Sequence, residues 1–152
     1  MTRLVILAVA LAALALPAVA QAEHLPGMPD IADLDFHPAQ QDAVVGRYLP
    51  VARSFWPGSR CAGREQVAWF YTAPMVFSGV AYPTDDGCRF ALNFQLLLGD
   101  LRGDVCAVMV HELGHLARGD DWHSDDPNDL MYPQFRRPPA CYVRPARARA
   151  VP

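Results

Sequence analysis

Residues 101–123 read LRGDVCAVMVHELGHLARGDDWH, and their apolar positions recur at helical spacing as far as Arg118. Asp100 or Asp104 is placed where a carboxylate caps a helix and favours its N-terminal dipole. Gly119 stands where the C-terminus of a helix favours a left-handed residue. The pattern therefore predicts a helix from the start of this run to Arg118. Its apolar residues would bury it against a sheet: Val105, Val108, Met109, Leu113 and Leu116.

Two histidines of this predicted helix, His111 and His115, are four residues apart and therefore lie one turn apart on the same face. Both imidazoles can reach one zinc ion at a bond length of about 2.0–2.1 Å. Glu112 directly follows the first histidine, so its carboxylate points to the side of the ion. That is the place for a group that polarises a metal-bound water and takes its proton. The pattern predicts a metal centre with Glu112 as the catalytic base.

The sequence after Gly119 continues with His123, then SDDP at 124–127 and LMYP at 130–133. Together with the HELGH helix, residues 111–133 resemble the active-site segment of the metzincin zinc endopeptidases, and most closely that of their matrixin branch. The resemblance implies a third histidine ligand, and a tight turn in which Met131 supports the metal site from below. It also implies a small α+β domain, in which a short, mixed, twisted sheet packs on an N-terminal helix and the active-site helix.

The third ligand departs from the family spacing, which is H-E-x-x-H-x-x-G-x-x-H. Here Gly119 is four residues and His123 eight residues after His115, and Asp121 occupies the position that the family register gives the ligand. We expect His123 to bind, because the SDDP and MYP segments align to it and imidazole suits zinc. Asp121 is the alternative third ligand.

The first 22 residues have the pattern of a secretory signal peptide. Arg3 precedes an apolar run, and small residues form cleavage sites that end at Ala20 and at Ala22. We therefore expect a secreted, extracellular protein with no membrane span after signal removal. An uncleaved anchor helix is the alternative.

The rest of the chain divides into three parts. Residues 23–37 contain Pro and Gly and predict an extended, loosely held arm. Residues 38–141 form the predicted zinc metalloprotease-like domain, and residues 142–152, rich in Arg and Pro, predict a disordered tail.

One further helix and three strands are predicted before the HELGH helix. Pro38 can open a helix, and apolar residues recur at helical spacing from Ala43 to Phe55, although Pro50 interrupts or kinks the run. Strand-like runs cover Gln66–Thr72, Met75–Tyr82 and Cys88–Leu98. The turn residues at 83–87 predict that the last two runs form a hairpin.

Four cysteines in a short secreted chain predict two disulfides. Three pairings are possible, and we favour Cys61–Cys88 with Cys106–Cys141. The first would join two neighbouring strands, and the second would tie the C-terminal segment to the HELGH helix. Cysteine ligation of a metal is disfavoured because the chain contains no C-x-x-C pair.

The charge of the chain argues against nucleic acid as a partner. The formal net charge is −3, and no basic patch points to nucleic acid. We expect a monomer whose partner is a peptide or protein substrate.

Three acidic residues after His123 are candidates for a calcium site, although a solvated loop is favoured: Asp125, Asp126 and Asp129.

The function expected from the motif and the resemblance is that of a secreted zinc-dependent endopeptidase with one catalytic zinc ion. Glu112 would be the general base, and three residues would bind the metal: His111, His115 and His123. A secreted zinc-binding module without significant proteolytic turnover is the alternative. A disulfide-linked structural domain without metal is the third possibility.

Overall fold

Two helices and a four-stranded mixed sheet make up the α+β fold of the computed structural model. The structure describes residues 28–73, 75, 77–84, 87–98, 104–134 and 138–142. The predicted signal peptide and residues 143–152 of the predicted tail lie outside the described residues. The α+β class expected from the sequence is confirmed.

The sheet consists of β1 (His37–Pro38), β2 (Gln66–Phe70), β3 (Gly79–Thr84) and β4 (Gly87–Asn93), in the order β1-β2-β4-β3. Strands β2 and β4 are parallel, and the other two pairs are antiparallel. The predicted hairpin is confirmed, since β3 and β4 pair from Thr84 and Gly87 at the turn to Gly79 and Leu92. Strand β3 therefore forms one edge of the sheet.

All three predicted strands have different ends in the structure: β2 ends at Phe70, two residues before its predicted end. Buried Asn93 explains where β3 begins and where β4 ends. Its amide nitrogen donates to Thr72 Oγ1 and to Phe77 O, each at 3.0 Å, which fixes the preceding loop so that β3 begins only at Gly79. Its side-chain oxygen accepts the N–H of Gln95 at 3.0 Å. This bond caps a short 3-10 helix over Phe94–Leu97, so β4 ends well before Leu98.

Helix α1 spans Val45–Ser54 and helix α2 spans Asp104–Arg118. The carboxylate of Asp42 accepts the N–H groups of Val44 and Val45 at 2.9 and 2.8 Å, which explains why α1 begins there. The helix continues through Pro50, so the expected interruption does not occur. The predicted start of α2 at Leu101 lies outside the described residues.

The main core lies between the helices and the inner face of the sheet. Val67, Phe90 and Leu92 point from the strands toward α2 and are completely buried. Twelve consecutive residues of α2, from Val105 to Leu116, are buried. Helix α2 is thus enclosed by protein around the two histidines of the HELGH motif.

The outer face of the sheet is covered by residues 28–36, which the sequence led us to expect as a loosely held arm. Phe36 packs edge-to-face on Tyr82 with ring centroids 6.0 Å apart, and the Tyr82 hydroxyl donates to Pro29 O at 2.9 Å. These contacts give the apolar outer face of β2 and β3 a cover. Met28, Ile31 and Leu34 supply more of that cover.

Both favoured disulfides are present, Cys61–Cys88 and Cys106–Cys141, with Cα–Cα distances of 5.3 and 5.6 Å. Cys61 lies in the turns between α1 and β2, so the first disulfide joins a loop to β4 rather than two strands. Two disulfides indicate an oxidising, extracellular environment. Within the described ranges, we find no helix with the length and apolar character needed to cross a membrane.

Candidate metal centre

His111 and His115 are buried on one face of α2, and a backbone carbonyl fixes the orientation of each ring. His111 Nδ1 lies 3.0 Å from Leu130 O, and His115 Nδ1 lies 3.1 Å from Asp120 O. A carbonyl oxygen only accepts hydrogen bonds, so both Nδ1 atoms carry the proton. The Nε2 atom of each ring is therefore left with a free lone pair, which is the form that binds a metal.

The third imidazole, that of His123, reaches the same point from the loop after α2. The helix ends at Gly119, whose φ of 77° reverses the chain and whose N–H donates to His115 O at 2.7 Å. His123 Nε2 then lies 3.1 Å from His111 Nε2, which is itself 3.2 Å from His115 Nε2. The longer spacing of the third histidine is thus compatible with a common site.

The donor chemistry of this triad fits a metal ion. The Nε2 atoms of His111 and His115 both present lone pairs, so their 3.2 Å separation is repulsive unless a cation or an added proton lies between them. A tetrahedral zinc ion with bonds of about 2.0–2.1 Å spaces its ligand atoms about 3.3 Å apart. The separations of His111 Nε2 from His123 Nε2 and from His115 Nε2, 3.1 and 3.2 Å, are close to that spacing, and all three ligand atoms lie within 4.8 Å of one another.

The protonation of the two helix histidines also favours metal binding. Burial, together with the neighbouring His111 and His123, lowers the pKa of His115 to about 4. Burial likewise lowers the pKa of His111. Both rings are therefore neutral at physiological pH and need not lose a proton to ligate.

Glu112 is buried between α2 and the edge strand β3. Its carboxylate accepts the backbone N–H of Ala81, and burial raises its pKa to about 8. The backbone of β3 approaches so closely that a Cβ on Gly79 would lie 2.6 Å from Glu112 Oε1. Gly79 thus allows the edge of the sheet to lie directly against this carboxylate.

Met131 lies against α2 at Gly114, next to His115, and only 1% of it is exposed. A Cβ on Gly114 would overlap Met131 Sδ and come within 2.6 Å of the Trp56 ring. The turn is closed by two bonds: the Met131 N–H donates to Asp129 Oδ1 at 2.8 Å, and Met131 O accepts from the N–H of Ser124 at 2.9 Å. Met131 therefore supports the histidine-bearing helix.

The carboxylates after α2 are not part of the metal-binding group. In the described part of the chain, the one such group comprises His111, His115 and His123, and the exposed Asp121 is not in it. Asp126 Oδ1 instead accepts the N–H of Asn128 at 2.9 Å and shapes the loop. The calcium site considered from the sequence receives no support from these contacts.

Trp56 is a supporting residue that sequence reasoning missed. Its indole N–H donates to Val110 O at 2.7 Å, and its ring lies against Gly114 between the two histidines of α2. The Trp-Pro-Gly run at 56–58 indicated only the end of a helix. The available signal was the tryptophan itself, because a buried indole N–H needs an acceptor.

In comparisons with known proteins, no family model, no curated protein and no solved structure matches this chain. The case for a metal centre therefore rests on the triad itself, three histidines that could hold a metal ion.

Proposed function

We propose that this chain is a secreted, zinc-dependent endopeptidase of the metzincin type, with residues 111–133 as its active-site segment. The observation that carries the proposal is the convergence of three imidazole Nε2 atoms next to a helix carboxylate that lies against a sheet edge. Two disulfides agree with a secreted protein.

His111, His115 and His123 would hold the zinc ion. Three protein ligands are typical of catalytic zinc, whereas structural zinc has four. When bound, zinc would supply an acidified water and a Lewis acid that polarises the scissile carbonyl. The hydrogen bonds from the Nδ1 atoms to Leu130 O and Asp120 O would fix the ligand orientation.

Glu112 would act as the general base. It would accept a proton from the attacking water and then donate that proton to the leaving amine. Burial raises the pKa of Glu112 to about 8 in the metal-free protein, and the positive charge of a bound zinc ion would lower that pKa and favour the ionised form that a base requires. The N–H of Ala81 orients the carboxylate, and the close approach of Gly79 excludes water from its flank.

The peptide substrate would bind in extended form along β3. Among the strands that the structure describes, β3 pairs with β4 alone, and its Ala81 N–H donates to Glu112. Main-chain hydrogen bonds to a strand edge bind peptides of varied sequence. Such bonds to the part of the β3 edge that Glu112 does not occupy would place the scissile bond near the carboxylate.

Cleavage of casein and of a quenched peptide library by the zinc-loaded secreted protein tests the proposal. The matched variant is Glu112→Gln, which keeps the shape and the acceptor for Ala81 but cannot take a proton. We expect it to bind zinc normally and to cleave at least about 100-fold more slowly. If the wild-type protein binds zinc and cleaves no faster than this variant, the alternative of a zinc-binding module replaces the protease.

A further inference from the structure

His123 is the least supported of the three candidate ligands. His111 and His115 are buried on α2, and each is held through Nδ1 by a backbone carbonyl. His123 is exposed and lies in irregular structure, and within the described ranges no carbonyl holds its Nδ1 in the same way. The position of its ring therefore depends on what fixes the chain on either side of it.

The downstream side is fixed by the interior of the protein. Ser124 is buried, and its N–H donates to Met131 O at 2.9 Å, so this end of the loop is joined to the methionine turn. The upstream side has a different anchor, formed on the protein surface by Arg118, Asp120 and Trp122.

Arg118, the last residue of α2, contacts the upstream side of the loop at two points. Its guanidinium carbon lies 4.4 Å from the centroid of the Trp122 ring, a cation–π contact. Its Nε donates to Asp120 Oδ1 at 3.2 Å. Asp120 also holds His115 through its carbonyl oxygen, so the same short turn connects two of the candidate ligands.

We propose that Arg118 and Trp122 form a clamp that positions His123 and thereby sets how long the site retains its metal. This inference rests on the proposed metal centre, but not on proteolysis. The exposed ligand on a loop is the first to detach when a metal leaves. A clamp that restricts the loop slows that detachment by lowering the population of open loop conformations.

The sign of the effect separates the clamp from simple electrostatics. Arg118 carries a positive charge, and by Coulomb repulsion its removal strengthens the binding of a nearby cation. Loss of the clamp has the opposite consequence, because a freed His123 binds less well. The loss of one exposed cation–π contact together with one surface ion pair corresponds to an increase of about threefold to tenfold in the rate of metal release.

The test measures zinc release from the full protein into excess chelator, together with zinc affinity by chelator competition. The clamp variants are Arg118→Gln and Trp122→Leu, and Trp122→Phe is the conservative variant that keeps an aromatic face for Arg118. Arg89→Gln is the matched control, because Arg89 lies over Phe36 at 5.5 Å in a cation–π contact on the outer face of the sheet. The melting temperature of each zinc-free variant reports on folding.

We expect Arg118→Gln and Trp122→Leu to release zinc about threefold to tenfold faster, and Trp122→Phe and Arg89→Gln to behave like wild type. The double variant Arg118→Gln/Trp122→Leu should release zinc no faster than Arg118→Gln alone, since the contact between Arg118 and Trp122 is already lost in that single variant. Release at the wild-type rate, or tighter binding in Arg118→Gln, overturns the clamp. A wild-type protein that takes up no zinc overturns the clamp and the metal centre together, whereas zinc binding without proteolysis overturns only the proposed protease.

Discussion

Replacing Gly114 by alanine tests how closely the methionine turn and Trp56 pack against the helix that carries the histidines. Helix propensity alone predicts a gain of about 1 kcal/mol, because alanine is the better helix former. The new methyl group, however, would overlap Met131 Sδ and lie 2.6 Å from the Trp56 ring. Overpacking a buried site costs about 1–3 kcal/mol.

The steric cost should be at the upper end of that range, because Met131 is buried and Trp56 is held by its hydrogen bond to Val110 O at 2.7 Å. The net expectation for Gly114→Ala is a loss of about 1–2 kcal/mol in the free energy of unfolding. Urea denaturation of the zinc-free protein, followed by tryptophan fluorescence, measures it. Zinc affinity should fall as well, because Met131 cannot move without shifting Leu130, which holds His111.

Ala117→Gly is the matched control in the same helix, since it changes propensity at a partly exposed position. It should cost about 1 kcal/mol. A Gly114→Ala protein that is as stable as wild type refutes the steric cost worked out above, and one that is about 1 kcal/mol more stable leaves propensity as the only effect.

Three further predictions concern ligation, pH and the second disulfide. His123→Ala should purify without zinc while Asp121→Ala retains one zinc per chain by elemental analysis, and the reverse pattern would assign the third ligand to Asp121. Burial raises the pKa of Glu112 from 4.5 to about 8, so the unfolded chain loses this proton at lower pH than the folded, metal-free protein does. The free energy of unfolding of the metal-free protein should therefore fall as the pH rises through that window. The melting temperature of Glu112→Gln should exceed that of the wild type by an amount that grows from about pH 5 to about pH 8. A difference in melting temperature that does not change with pH contradicts the raised pKa of Glu112. Replacing Cys106 and Cys141 by alanine removes a disulfide across a sequence separation of 35. The free energy of unfolding, measured by urea denaturation, should fall by about 3–4 kcal/mol. An unchanged urea midpoint would show that this disulfide does not constrain the unfolded chain.

The parts of the fold that local sequence determines were predictable. Helix α2 shows a long apolar periodicity and ends at Gly119, and both signals depend only on neighbouring residues. The hairpin of β3 and β4 was predicted for the same reason, from its turn residues. His111 and His115 share a face in any helix that contains both, so their proximity follows from the spacing alone.

The parts that depend on distant contacts were not predictable from local pattern. Residues 28–36 contain turn-forming residues, but the apolar outer face of the sheet determines where they pack. Asn93 reads as a polar break in a strand, yet its bonds to Thr72 and Phe77 decide where β3 begins. The meeting of His123 with the helix histidines depends on the methionine turn, which holds His111 from the other side.

Zinc-edge X-ray absorption on stoichiometrically loaded protein tests most directly whether three imidazoles bind one metal ion. One zinc per chain with three imidazole nitrogen ligands at about 2.0–2.1 Å is expected in the wild type and in Asp121→Ala, whereas His123→Ala should retain no zinc. Folded wild-type protein that binds no zinc, or a first coordination sphere without three imidazoles, would contradict this expectation.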